Sequence, residues 1–153
     1  KSGQTLNDRI VGAGHGVADR QIVKDHIPAI REVVEIWAAR SDIDVIISTG
    51  GTGLTGRDVT IEALRPLFEK EIEGFGTLFH MVSFQKIGTS TVQSRATAGV
   101  LKGKYIFCLP GSPGACRYAW DEILKIQLDY RHKPCNFVEI MPRRAATQQR
   151  KKA

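Results

Sequence analysis

Two glycine-rich hexapeptides constrain the fold of this chain more than any other feature: Ser48-Thr49-Gly50-Gly51-Thr52-Gly53 and Leu109-Pro110-Gly111-Ser112-Pro113-Gly114. Each follows a run that reads as a buried strand, Val45-Ile46-Ile47 and Tyr105-Ile106-Phe107-Cys108, and each precedes helical-looking sequence. A strand that ends in glycine and reopens as a helix turns bare backbone N–H groups towards one point. In an α/β sheet that point lies at the carboxyl ends of the strands, where ligands bind. Two such loops, rich in hydroxyls and one of them stiffened by proline, suit one anionic ligand held from two sides.

The pattern along the chain supports an α/β domain. Leu6, Ile10 and Val11 fit a helical stripe that Gly12 and Gly14 end, and Val17–Val23 reads as a strand. Pro28 opens a helix whose Ile30, Val33, Val34 and Trp37 share one face. Thr60 is expected to cap a helix to about Phe68; Gly74-Phe75-Gly76 breaks the chain before a short helix over Leu78–Phe84, and Val92–Ala96 reads as helical. Ser112 is a natural N-cap with Pro113 at the first helical position, and Ala119, Ile123 and Leu124 point inward from the helix that follows. Continuous rather than alternating apolar strands predict a mostly parallel sheet covered on both faces, a three-layer α/β/α sandwich.

With 153 residues the chain is one ordinary domain. No apolar run nears the roughly 20 residues of a membrane helix, and the polar opening Lys1-Ser2-Gly3-Gln4 is not a signal peptide, so no membrane is expected and the cytoplasm is the expected compartment. Of the net +6, five charges come from Arg143, Arg144, Arg150, Lys151 and Lys152, so the expected division is a domain over 1–142 and a basic tail over 143–153 that is expected to be disordered. The body is nearly neutral, which argues against a nucleic-acid partner. Cys108, Cys116 and Cys135 form no C-x-x-C pair, so neither a disulfide framework nor a zinc site is expected.

Gly51-Thr52-Gly53-Leu54-Thr55-Gly56 matches the letters of a dinucleotide fingerprint, but the strand and acidic residue that should follow about 20 residues on do not arrive on schedule. Asp58 follows the first loop and Asp25 an earlier strand, so a parallel sheet places both on the loop edge. A carboxylate beside a phosphate calls for a divalent cation between them, making Asp58 a candidate Mg²⁺ or water-positioning ligand. Both residues also fit helix caps, and for Asp25 the two roles are evenly balanced. Ser94-Arg95 beside a glycine turn suits an oxyanion.

Taken together, Thr49-Gly50-Gly51-Thr52-Gly53, Arg57-Asp58-Val59-Thr60, Gly74-Phe75-Gly76, Ser94-Arg95 and Leu109-Pro110-Gly111-Ser112-Pro113 resemble the molybdenum cofactor biosynthesis family of MogA/MoaB type, up to about Pro142. Glu73-Gly74-Phe75-Gly76, Ile87-Gly88-Thr89-Ser90-Thr91 and Pro134-Cys135-Asn136-Phe137 resemble its MoaB branch. The resemblance implies a homotrimer or a hexamer of trimers, and adenylylation of molybdopterin by Mg·ATP with release of pyrophosphate. It implies Asp58 and Asp25 as the functional acids, and Gly50, Gly51, Thr52, Gly53, Ser90, Ser94, Arg95, Pro110, Gly111, Ser112 and Pro113 as the lining of the pterin and nucleotide site. Other proteins of the pathway are possible partners on the same basis. The alternative is a catalytically idle binder of molybdopterin or nucleotide. Family members begin with an apolar strand and a Ser/Asp-rich loop ahead of the Ser2-Gly3 equivalent, so the resemblance also implies a first strand missing from the chain as shown.

Overall fold

In a computed structural model, residues 1–141 are described; the basic tail expected over 143–153 lies outside them. A four-stranded sheet runs β1 (Val45–Thr49), β4 (Lys104–Leu109), β3 (Thr97–Leu101), β2 (Lys70–Glu71) in spatial order. The helices are α1 (Ser2–Gly12), α2 (Ile27–Ala38), α3 (Thr60–Leu64), α4 (Glu73–Ile87) and α5 (Pro113–Ala119), the last extended by a π turn over Trp120–Leu124.

The central strand β4 sorts the core by its alternation. Tyr105, Phe107 and Leu109 join a cluster with Leu6 of α1, Phe75 and Phe79 of α4 and Ala115 to Leu124. Ile106 and Cys108 point the other way, into a cluster with Ile30 and Val34 of α2 and Ile61 and Leu64 of α3. Successive side chains of a strand face opposite sides, so this one strand supplies both cores of a single-domain α/β fold.

The sheet is mixed rather than mostly parallel. Among the described residues only β1 and β4 pair in parallel, with Ser48 opposite Cys108 and Thr49 opposite Leu109. β3 and β4 form a hairpin, with Leu101 opposite Lys104, and β2 joins β3 antiparallel. Lys102 and Gly103 close the hairpin at φ 50° and 79°, positive values at both central positions as a twisted two-residue turn requires.

Other expectations are corrected. Residues 17–23 form no strand; Ile22 is fully exposed. Residues 17–21 and Val23 line a cavity of about 770 Å³ beside β1, Asp25 and Gly51, and without a neighbouring ladder they have no strand pairing. The helix α4 runs straight through Gly74 and Gly76. Gly76 serves close approach instead, because a Cβ there would stand 2.8 Å from the Ala96 carbonyl oxygen. Beyond Gln93 the chain leaves its short 3₁₀ helix and soon enters β3, so 94–96 are not helical.

Candidate functional site

The two glycine loops leave adjacent parallel strands, so their backbones meet. Gly50 N–H donates to the Leu109 carbonyl at 2.9 Å, and Thr49 Oγ1 donates to the Pro110 carbonyl at 2.9 Å. Thr60, which is not the cap of α3, donates its hydroxyl to the Gly50 carbonyl at 3.1 Å, and its N–H donates to the Gly51 carbonyl. The Ser2 hydroxyl of α1 donates to the Gly111 carbonyl. In the second loop Ser112 caps α5 as expected, its Oγ accepting the Ala115 N–H at 3.1 Å.

Both aspartates lie against the first loop. Gly51, at φ +67°, places its missing Cβ 3.4 Å from Asp25 Oδ1, and the missing Cβ of Gly53 lies 2.7 Å from Asp58 Oδ2. Glycine is required at Gly51 by the positive φ and by Thr60 Oγ1, which crowds the place of the missing Cβ, while at Gly53 the Asp58 carboxylate takes up the space of a side chain. Asp25 is exposed and the first residue of α2 is Ile27, with His26 rather than Asp25 at the N-cap. Asp58 Oδ2 accepts from the Thr55 hydroxyl at 2.7 Å and the Thr55 N–H at 3.0 Å. These bonds, the hydroxyl first, hold the Asp58 carboxyl below the usual carboxylate range.

Arg95 reaches the same loop. Its Nε donates to the Thr52 carbonyl at 2.7 Å and its Nη2 to the Gly53 carbonyl at 2.8 Å, while Nη1 meets Glu62 Oε1 at 2.5 Å. Ser94, next to it, is half-buried, and its carbonyl lies 3.0 Å from His80 Nε2. Ser90 is exposed on the 3₁₀ turn after α4. Pro110 and Pro113 are half-buried and Gly111 and Ser112 exposed, so the second loop keeps an open face.

Thr55 and Glu62 are neighbours of the candidate site that sequence reasoning did not single out, and Thr60, expected as a cap, binds the first loop instead. Thr55 had a local signal, a hydroxyl three residues before an aspartate. Glu62 had none, because its partner Arg95 is 33 residues away.

Burial disfavours the thiolate at both buried cysteines. Burial pushes the Cys108 thiol up to about 11 and raises Cys116, whose Sγ lies 3.2 Å from Thr49 Oγ1. Among the described residues no group of three acidic, His or Cys side chains forms a metal cage, and no helix is long and apolar enough to cross a membrane. The carboxylates of Asp25 and Asp58 against the first glycine loop are donors of the kind that suits Mg²⁺, which keeps several waters and binds through one or two carboxylates plus substrate phosphates.

Comparison with known proteins places this chain in a family. Residues 1–130 match the family model described as "Probable molybdopterin binding domain". The chain is 54% identical over 136 residues to molybdenum cofactor biosynthesis protein B of Escherichia coli K12, covering 89% of this chain and 80% of that protein. A crystal structure of a molybdenum cofactor biosynthesis protein B superposes with a TM-score of 0.85 at 40% identity, covering 95% of this chain and 86% of the other. The tungsten cofactor synthesizing protein MoaB from Pyrococcus furiosus gives 0.75 at 34% identity, covering 95% and 85%. The chain, with its two touching glycine loops and an aspartate against each of Gly51 and Gly53, belongs to the molybdopterin-binding-domain family of molybdenum cofactor biosynthesis proteins.

Proposed function

We propose that this chain adenylylates molybdopterin. An oxygen of the pterin's terminal phosphate attacks the α-phosphorus of ATP, the bond to the bridging oxygen breaks, and pyrophosphate leaves. The observation that carries this reading is the contact of two glycine loops with two carboxylates at one of them. Phosphoryl-type transfer needs positioning and charge neutralisation more than covalent help from the protein. Gly50 to Gly53 and Pro110 to Pro113 orient the two phosphate-bearing substrates, and Ser94 and Ser90 extend that lining. Asp58 and Asp25 would hold Mg²⁺ with the substrate phosphates. That ion would supply neutralisation of the charge on the leaving pyrophosphate.

A second reading, binding without turnover, is favoured by one observation: Asp58 already serves its own loop through Thr55. One assay separates the two. Purified protein is mixed with molybdopterin, ATP and Mg²⁺, and adenylylated pterin is sought by mass. Product establishes the transferase; bound pterin without product establishes the binder.

We also infer self-association through α4. Phe75, Phe79 and Ser83 face the core, yet Leu78, Met81, Phe84 and Ile87 are 40%, 62%, 57% and 47% exposed on the other side. A helix apolar on all sides needs a second partner. That face supports the homotrimer, or hexamer of trimers, that the family resemblance implies.

A further inference from the structure

We propose that Arg95 and Glu62 form a positioning pair that sets the orientation of the first glycine loop and, through it, of Asp58. The proposal rests on the assignment of Asp58 to the site.

Three loop carbonyls converge on one guanidinium. Arg95 Nε donates to Thr52 O at 2.7 Å and to Gly53 O at 3.1 Å; Nη2 donates to Gly53 O at 2.8 Å and to Asp58 O at 3.4 Å. Glu62 closes the fork from the far side, with Oε1 2.5 Å from Nη1 and Oε2 3.3 Å from Nη2. A trans peptide carries its C=O and N–H in opposite directions. Pinning the carbonyls of Thr52 and Gly53 towards Arg95 therefore turns the N–H groups of Gly53 and Leu54 to the other side of the loop. The Asp58 carboxylate lies on that side, against Gly53, and the Gly53 N–H helps to hold it ionised. The loop is gripped between a cation on its carbonyl face and a carboxylate on its amide face.

Glu62 is what makes this a brace rather than a ligand hook. It lies on α3, one of the helices packed beneath the sheet, and matches the guanidinium in the two-point geometry of an arginine–carboxylate pair. Most of the Arg95 donors are thereby occupied, and its charge is countered within the protein. Arginine suits the role because its rigid fork meets several acceptors at once, which a lysine ammonium does not.

The test uses hydrogen exchange of the full chain with mass detection over residues 50–60, alongside adenylylation kinetics, for Glu62→Gln, Glu62→Ala, Arg95→Lys and Arg95→Ala. Glu62→Gln keeps the shape and guards against a variant that fails to fold. Exchange over 50–60 is expected to quicken by about tenfold or more in each variant, with the sheet unchanged. The kcat is expected to fall by about ten- to a hundredfold while the KM for ATP stays within about twofold. Unchanged exchange in Glu62→Ala and Arg95→Ala overturns the brace. A raised KM with intact kcat in Arg95→Ala also overturns it, since Arg95 then touches substrate. Wild-type protein that makes no product removes the transferase reading alone, because the exchange result still decides the brace.

Discussion

Gly50 and Gly111 touch: a side-chain carbon on Gly111 would stand 3.1 Å from the Gly50 Cα. The two loops therefore form one surface: a side chain on Gly111 would crowd Gly50, and Gly50 itself is kept as glycine by its φ of +95°. Gly111→Ala should push the loops apart and destabilise the fold by about 1–3 kcal/mol, the usual cost of overpacking. Urea unfolding measures it, and a change below about 0.5 kcal/mol would mean that the loops separate freely.

Asp58 is the residue whose charge separates catalysis from binding. Asp58→Asn keeps an acceptor for the Thr55 hydroxyl, so the fold and assembly should survive. Turnover should fall by about a hundredfold or more, in the range seen when a positioned charge is removed from a reacting centre. Steady-state formation of adenylylated pterin is the measurement, and unchanged turnover takes Asp58 out of the reaction.

Asp129 gives the clearest pH signature. The Arg131 side chain, then its backbone N–H, hold the Asp129 carboxyl down to about 2. A free aspartate titrates near ~3.9. A carboxyl depressed in the folded state contributes stability that is complete above the unfolded value and is lost as pH falls through the folded one. The stability difference between wild type and Asp129→Asn should therefore hold steady above pH ~4 and shrink towards pH ~2. Asp58 and Glu62, both lowered, act in the same direction. Urea titrations across that range check it; a difference that ignores pH would show that the pair is not linked to folding.

The three thiols should differ sharply in reactivity. Cys108 and Cys116 are buried with raised thiol values, whereas Cys135 is exposed. Since the thiolate is the nucleophile, iodoacetamide at pH ~8 should label Cys135 alone in the folded chain and all three in urea. Peptide mapping reads this, and rapid labelling of Cys116 in the native protein would mean that the Pro110–Pro113 loop opens.

The apolar outer face of α4 should govern assembly. Met81→Glu with Phe84→Glu places two charges on that face without touching Phe75 or Phe79 of the core. Light scattering should then report monomers with wild-type circular dichroism. An assembly that persists shifts the interface elsewhere.

The sequence carried the elements whose signals are local. Ser112 with Pro113 forecast a capped helix, and α5 starts there with its cap made. The apolar stripe from Ile30 to Trp37 forecast α2. Apolar runs ending in glycine forecast β1 and β4. Asp58 lies beside the first loop as expected, whereas Asp25 reaches it without the preceding strand from which its placement was argued. Where the reading failed, the competing signal was long-range. Gly74 and Gly76 look like breakers, but the second is a glycine because the Ala96 carbonyl crosses the helix there, and packing overrides propensity.

What the sequence by itself determined is the chemistry at the carboxyl ends of two parallel strands: glycine where backbone must turn, hydroxyls and carboxylates beside it, and a helix following each loop. These follow from short-range rules of φ, capping and apolar periodicity. Only the tertiary structure decided that the two loops touch, that β3 and β4 form a hairpin, and that Arg95 and Glu62, 33 residues apart, meet behind the first loop. Such contacts depend on which surfaces the packed sheet brings together, and no local pattern along the chain encodes a pairing between residues that far apart.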